Sequence, residues 1–324
     1  MSDIQPLPAD QSALELHQLH DQAEKLLLAS KSEATTKAYR SDWKDLEAWA
    51  EANGRAALPA SFETVILYLT SLNKRGFRIS TIRRRVATIS QAHQHAGFES
   101  PTRDRRVRAV IQGIARTGNV SVTKKKAISV GDVRAMVAKC DVGSLRGKRD
   151  RALILIGFAS AMRRSELVSL NIDDIEFQHD DGLVIRVRRS KTDQEGRGRI
   201  IGIPIGRHPE TCPVTDLKIW LQASTTTEGP VWRPINRHGG LRDGRLTAHA
   251  VATVIKGLAE KAGLDPRLYS GHSLRSGFAT SASRAGAPES VIARQTGHRS
   301  ITMLREYVQA GNVLIENAAR YRDL

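Results

Sequence analysis

Cysteine is scarce in this 324-residue chain: only Cys140 and Cys212 occur, too few for a disulfide framework and without the Cys-x-x-Cys spacing of a zinc site. A reducing cytosol suits such a chain. Long apolar runs are missing as well. The longest, Ala152–Phe158, falls far short of the roughly 20 residues needed to cross a bilayer. The N-terminus opens on acidic and polar residues, with no charged segment leading into an apolar one, so neither secretion nor membrane insertion is expected. Ten histidines could suggest a metal, yet His17 with His20 and His93 with His95 have no third and fourth ligand nearby, and no metal is expected.

Acidic residues are nearly absent from one stretch. Residues 72–126 carry 14 basic and 2 acidic side chains, whereas residues 1–71 carry 6 basic and 11 acidic, within a net charge of +16. Glycine and proline are sparse in the basic block and its apolar residues recur at helical spacing, so it reads as an ordered polyanion-binding surface, with nucleic acid as the partner. A chain of this length exceeds the usual single domain, and two cores are expected.

The pattern of leucines in Ser12–Ser30 suggests an amphipathic accessory helix within an N-terminal segment, 1–30. A compact helical unit follows over 31–116. Ser32 is placed to cap a helix running through Ala52, with Ala38, Trp43, Leu46 and Trp49 as its core stripe. Further helices are expected over Phe62–Asn73, Ser80–Ala96 and Arg103–Arg116. In the second of these, Ile82, Val86 and Ile89 face inward and Arg83, Arg84 and Arg85 spread around the other sides as candidate DNA contacts. Residues 117–129 lack periodicity and read as an exposed basic linker whose Lys124, Lys125 and Lys126 could meet a phosphate backbone. Ser129 and Asp132 fit a capping pattern that opens a second domain, 130–324, with helices near 130–141 and 147–161. Short strands follow at Leu183–Val187 and Arg199–Ile203, which puts Lys191 in the turn of a β-hairpin. From 213 onward the pattern is again mainly helical.

Five pieces carry chemistry: Met162-Arg163-Arg164-Ser165-Glu166, Ser190-Lys191-Thr192, Gly271-His272-Ser273-Leu274-Arg275, Gly297-His298-Arg299-Ser300 and Tyr307. A tyrosine hydroxyl, with a pKa of about 10, is a poor nucleophile at neutral pH. To attack a phosphate it needs concentrated positive charge, and Arg163, Lys191, His272, Arg275 and His298 are suitable residue types. His272 and Arg275, three apart, share a face if a helix begins near Ser273. Arg163 follows an apolar helix, where a charge without a partner is costly to desolvate.

In order and spacing these pieces resemble the tyrosine site-specific recombinases, the phage integrase family, from about Thr35 to Tyr307; Ser80–Arg103 resembles in particular the DNA-binding part of the Cre branch. The resemblance implies a mainly α fold with a small antiparallel β-sheet, in two domains: an α-helical core-binding domain and a mixed α+β catalytic domain, together a C-shaped DNA clamp. It implies that Tyr307 forms a 3′-phosphotyrosyl bond and Lys191, on a flexible hairpin, protonates the leaving 5′-hydroxyl. Arg163, in preference to Arg164, would hold the phosphate with Arg275 and His298, where some relatives carry tryptophan. His272 would accept the tyrosine proton or position the phosphate, and Glu166 would orient the cluster. Arg188, Arg189, Arg197 and Arg199 are available for further phosphates. No cofactor is implied, because one phosphodiester is exchanged for another. The implied partners are double-stranded DNA carrying a recognition site, three further copies of the chain around a Holliday junction, and accessory proteins. Residues 311–324 would dock on a neighbouring copy or cap their own core. A cytoplasmic, nucleoid-associated protein of bacterial, phage or mobile-element origin is expected. A type IB topoisomerase and a non-catalytic DNA-binding protein are the alternatives.

Overall fold

The computed structural model describes residues 33–117, 125–188 and 198–298, together with positions 302, 304 and 305. Contacts within the chain divide it into two units, Met1–Val122 and Thr123–Leu324. The expected accessory helix at 12–30, Lys124 and the tail at 311–324 lie outside the described residues. Among those described, no helix is long and apolar enough to cross a membrane.

In the first unit, α1 (Glu33–Ala52), α2 (Phe62–Lys74), α3 (Ile79–His95) and α4 (Arg105–Thr117) bury their apolar stripes against one another. Ser61 starts α2 by accepting the Thr64 N–H at 3.2 Å, satisfying a donor that the helix itself leaves open. The core contains Leu46, Val65, Leu69, Leu72, Ile82, Ile89 and Val107, with Trp43, Trp49 and Val86 packed at its edge.

The expectation that Arg83, Arg84 and Arg85 all point outward needs correction. Arg83 is exposed, but Arg85 is only 7% exposed, because it follows Ile82 by three residues and precedes Ile89 by four, which puts it on the buried stripe. Its guanidinium meets Asp45, Asp42 and the Tyr68 hydroxyl. Arg84 is bound through two nitrogens to Asp42, at 2.8 and 2.9 Å. Burial pushes the Asp45 carboxyl up, but hydrogen bonds from Arg75, Tyr68 and Arg85 prevail and hold it at about 2. Two of the three arginines therefore neutralise acids of α1.

The second unit opens with the expected cap. Ser129 Oγ accepts the Asp132 N–H and Asp132 Oδ2 accepts the Ser129 N–H, both at 3.0 Å, and α5 (Val130–Ala138) follows. The central element is α6 (Leu145–Ser160), whose Leu153, Ile154 and Ile156 are fully buried. It packs on α8 (Pro213–Ser224), on α10 (Ser273–Arg284) and on strand β3 (Arg199–Pro204). β1 (Ile175–Gln178), β2 (Gly182–Val187) and β3 form an antiparallel sheet in that order, with Ile185 opposite Ile201 and Val187 opposite Arg199. Strand β1, IEFQ, alternates apolar and polar residues over only four positions, too short a run for the sequence pattern to mark it as a strand. Leu183, Ile185, Val187, Ile201 and Ile203 are buried, so the inner face lies on the core and the outer one on solvent. The remaining helices are α7 (Arg164–Ser169), α9 (Ala248–Lys261) and α11 (Glu289–Thr296).

The expected linker is shorter at its C-terminal side. Lys126 N–H donates to Leu268 O at 2.8 Å and Ile128 N–H to Ser273 O at 3.1 Å, so 125–128 belongs to the second unit. Lys125 Nζ is bonded to Arg267 O at 2.5 Å, and Lys126 Nζ lies 3.2 Å from the Tyr269 hydroxyl and 3.4 Å from Asp132. Both lysines have partners within the protein.

Candidate active site

The site is assembled where α6 ends, α10 begins and α11 ends. Helix α6 stops because Ala161 adopts a left-handed conformation, φ 52°, turning the chain so that Arg163 stands at the N-cap of α7. There the Arg163 N–H donates to Glu166 Oε2 at 3.1 Å and its Nη1 to Glu166 Oε1 at 2.7 Å. Glu166 is 3% exposed, and a buried carboxylate is costly unless paired. A second guanidinium completes the pairing: Arg199 Nη2 donates to Glu166 Oε2 at 2.9 Å.

Arg275 lies on α10 and is 1% exposed. Its Nη1 donates to Ala161 O at 3.0 Å and also to Thr296 O. One guanidinium thus ties the turn before Arg163 to the end of α11 before Gly297. His272 stands at the N-cap of α10. The residue is solvent-accessible, yet its ring is partly desolvated, and this, with the charges of Arg275 and Arg163, lowers its pKa. Gly271 lies close to the Arg164 side chain, which would have to shift by a few tenths of an ångström or more for a Cβ, 2.8 Å from Arg164 Cδ, to fit there.

Gly297 ends α11 with φ 66°, a conformation suited to glycine, and presents His298. Burial, followed by Arg275, Arg163, His272 and Arg199, pulls His298 down to about 4. Its Nδ1 is 2.8 Å from Thr296 Oγ1, which is itself 2.7 Å from Ile292 O. The single hydroxyl proton goes to the carbonyl, because two unprotonated oxygens at that distance repel. Thr296 Oγ1 therefore accepts from Nδ1, and neutral His298 carries its proton on Nδ1 with Nε2 as an acceptor.

Residues 126–312 match the phage integrase family, more than half of the chain. The chain belongs to the phage integrase family. This integrase is 40% identical to an integrase/recombinase XerD homologue of Selenomonas ruminantium over 299 residues, 91% of this chain and 87% of the relative. It is 24% identical to the recombinase Cre of Escherichia phage P1 over 299 residues, 86% of this chain and 84% of that one. A solved lambda integrase tetramer bound to a Holliday junction shares the fold at a TM-score of 0.55 and 18% identity, covering 90% of this chain and 76% of that chain. The integrase is a DNA-cleaving and -rejoining enzyme of the tyrosine recombinase type, acting in site-specific recombination.

Of the site residues read from the sequence, Arg163, Glu166, Arg275, His272 and His298 are brought to one place. Tyr307, Lys191 and Arg189 lie outside the described residues. Arg188 is bonded to Asp174 at 2.5 Å, so part of its charge is answered within the protein. Arg199 is a correction: it is largely buried against Glu166, and burial lowers its pKa while Glu166 opposes the shift. The strand alternation contained the clue, because Arg199, Ile201 and Ile203 share the inner face. Thr296, unmarked in the sequence reading, was legible only as a hydroxyl two residues before His298.

Proposed function

We propose that this integrase cleaves each strand by in-line attack of the Tyr307 hydroxyl on a phosphodiester, forming a 3′-phosphotyrosyl bond. The 5′-oxygen leaves and takes a proton from Lys191. A 5′-hydroxyl from a second duplex then reverses the step, so that strands exchange between two recognition sites without a cofactor. Arg163 and Arg275 supply fixed positive charge to the non-bridging oxygens, an arrangement that needs no reorganisation as charge develops in the transition state. His272 accepts the tyrosine proton or holds the phosphate. His298, with Nδ1 bonded to Thr296, donates from Nε2 once the bound phosphodiester has raised its pKa and it has taken up a proton.

The observation that carries this reading is the pair of carbonyl bonds from buried Arg275, which brings three distant motifs together. As in the lambda integrase tetramer on a Holliday junction, four copies are proposed to act on two DNA sites. Double-stranded DNA is the partner and the cytoplasmic nucleoid the location. The test is to incubate the protein with duplex DNA flanking its own gene and to resolve covalent adducts on a denaturing gel. Wild type forms a protein–DNA adduct, and Tyr307→Phe binds the same DNA without forming one. An adduct that survives in Tyr307→Phe sinks the assignment of the nucleophile. Supercoil relaxation without exchange between sites points to a topoisomerase.

A further inference from the structure

Glu166 is shared by two guanidiniums, and only one of them belongs to the motifs that carry the recombinase reading. Arg163 holds Oε1 at 2.7 Å and Arg199 holds Oε2 at 2.9 Å. The Arg199 side chain is 16% exposed, and its Nε is buried without a hydrogen-bond partner among the described residues. Such a group is costly in an interior, which argues against filler: an apolar residue beside Val187 would pack there at no such cost. On its other side Arg199 lies hard against the Gly297 backbone, where a Cβ would come 1.9 Å from Nη1 and 2.8 Å from Cζ. Arg199 thus touches both the partner of Arg163 and the turn that presents His298, and it begins the strand that follows the Lys191 segment.

We propose that Arg199 is a positioning residue for strand cleavage, clamping Glu166 so that Arg163 keeps its place and supporting the Gly297 turn so that His298 keeps its own. The proposal rests on the recombinase reading for its function, though not for its geometry. It excludes a direct phosphate contact, since Nη2 is held by Glu166, Nη1 lies against the Gly297 backbone and the side chain is largely buried. Because the clamp works through a charged fork, substitutions that keep the charge and those that remove it have different effects. Among the described residues, the charged and titratable groups that face His298 are Arg275, Arg163, His272 and Arg199. Removing one of these cations moves the imidazole titration upward.

The experiment compares the full chain with Arg199→Met and Arg199→Lys in two measurements. The first is the titration of His298 by NMR of histidine-labelled protein. Arg199→Met raises its midpoint by about half a pH unit or more, whereas Arg199→Lys leaves it near wild type. The second is the rate of covalent adduct formation on duplex DNA flanking the gene, alongside affinity for that DNA. Arg199→Met slows cleavage on the order of 10- to 100-fold, the cost of a misplaced catalytic group, with affinity unchanged, and Arg199→Lys recovers part of the rate. Should Arg199→Met not fold, Arg199→Lys decides alone: intermediate cleavage with unchanged affinity supports the clamp. Wild-type cleavage, an unmoved His298 midpoint in Arg199→Met, or a loss of affinity with a salt slope lower by about one overturns it. If wild type forms no adduct, the recombinase reading has failed, and the His298 titration still decides whether the clamp exists.

Discussion

His298 shows how neighbours set both the charge and the direction of a single ring. Its folded pKa of about 4 lies below the ordinary histidine value of about 6.5, so the unfolded chain binds more protons between those two pH values. The stability it contributes is complete above that upper value and is lost as the pH falls toward the lower one; His272 acts in the same direction. Thermal unfolding followed by fluorimetry should show a midpoint that falls between pH 7 and pH 5, and His298→Gln should flatten that dependence. Thr296→Val removes the acceptor for Nδ1–H, so nitrogen shifts of His298 should change from one tautomer to a mixture. Arg85 makes a different kind of prediction. Arg85→Ala removes one partner from each of Asp42 and Asp45, which keep Arg84 and Arg75, and should cost about 1–3 kcal/mol in urea unfolding. Arg83→Ala, on the exposed side, should change stability by no more than about 0.5 kcal/mol and reduce the salt slope of DNA binding by about one.

Segments whose local patterns agree with their surroundings formed as expected. The Ser129–Asp132 cap, the stripe of α3 and the β2–β3 pairing were legible, because capping, a 3.6-residue repeat and a two-residue repeat are written in adjacent positions. Arg85 and Arg199 were assigned to the surface by residue type, although their positions in the repeats placed them inside. Segment 125–128 carried no periodic signal at all, since its partners are the backbone of 268–273 and α10. A Cβ at Gly277 would lie 2.1 Å from Ile128 O, a backbone contact that cannot move away easily. Gly277→Ala should therefore destabilise the second unit by about 1–3 kcal/mol, measured by denaturant unfolding, while the same change at Gly257, which has open space around it, should not destabilise it.

Across the chain, the surplus of positive charge is smaller in effect than in count. Within the basic block at 72–126, Arg75, Arg84, Arg85 and Arg106 pair with carboxylates, so fewer cations are left for DNA than that block suggests. If each copy neutralises roughly six to ten phosphates, affinity should fall by about 10³ to 10⁵ between roughly 50 and 200 mM salt. A fluorescence-anisotropy titration at several salt concentrations reads the slope directly, and a slope of only one or two would contradict contact with that many phosphates.

Residue types and their order along the chain were enough to indicate the chemistry, because an Arg, a His-x-x-Arg, a Gly-His and a tyrosine at these spacings serve few purposes other than phosphoryl transfer. Helical units and hairpin strands were also within reach of local patterns. Which cation faces solvent and which serves a neighbouring carboxylate depended on residues 33 to 42 positions away, as with Asp42, Asp45 and Glu166. Burial makes an unpaired charge intolerable, so the fold assigns partners by proximity in space, and no reading along the chain contains that distance.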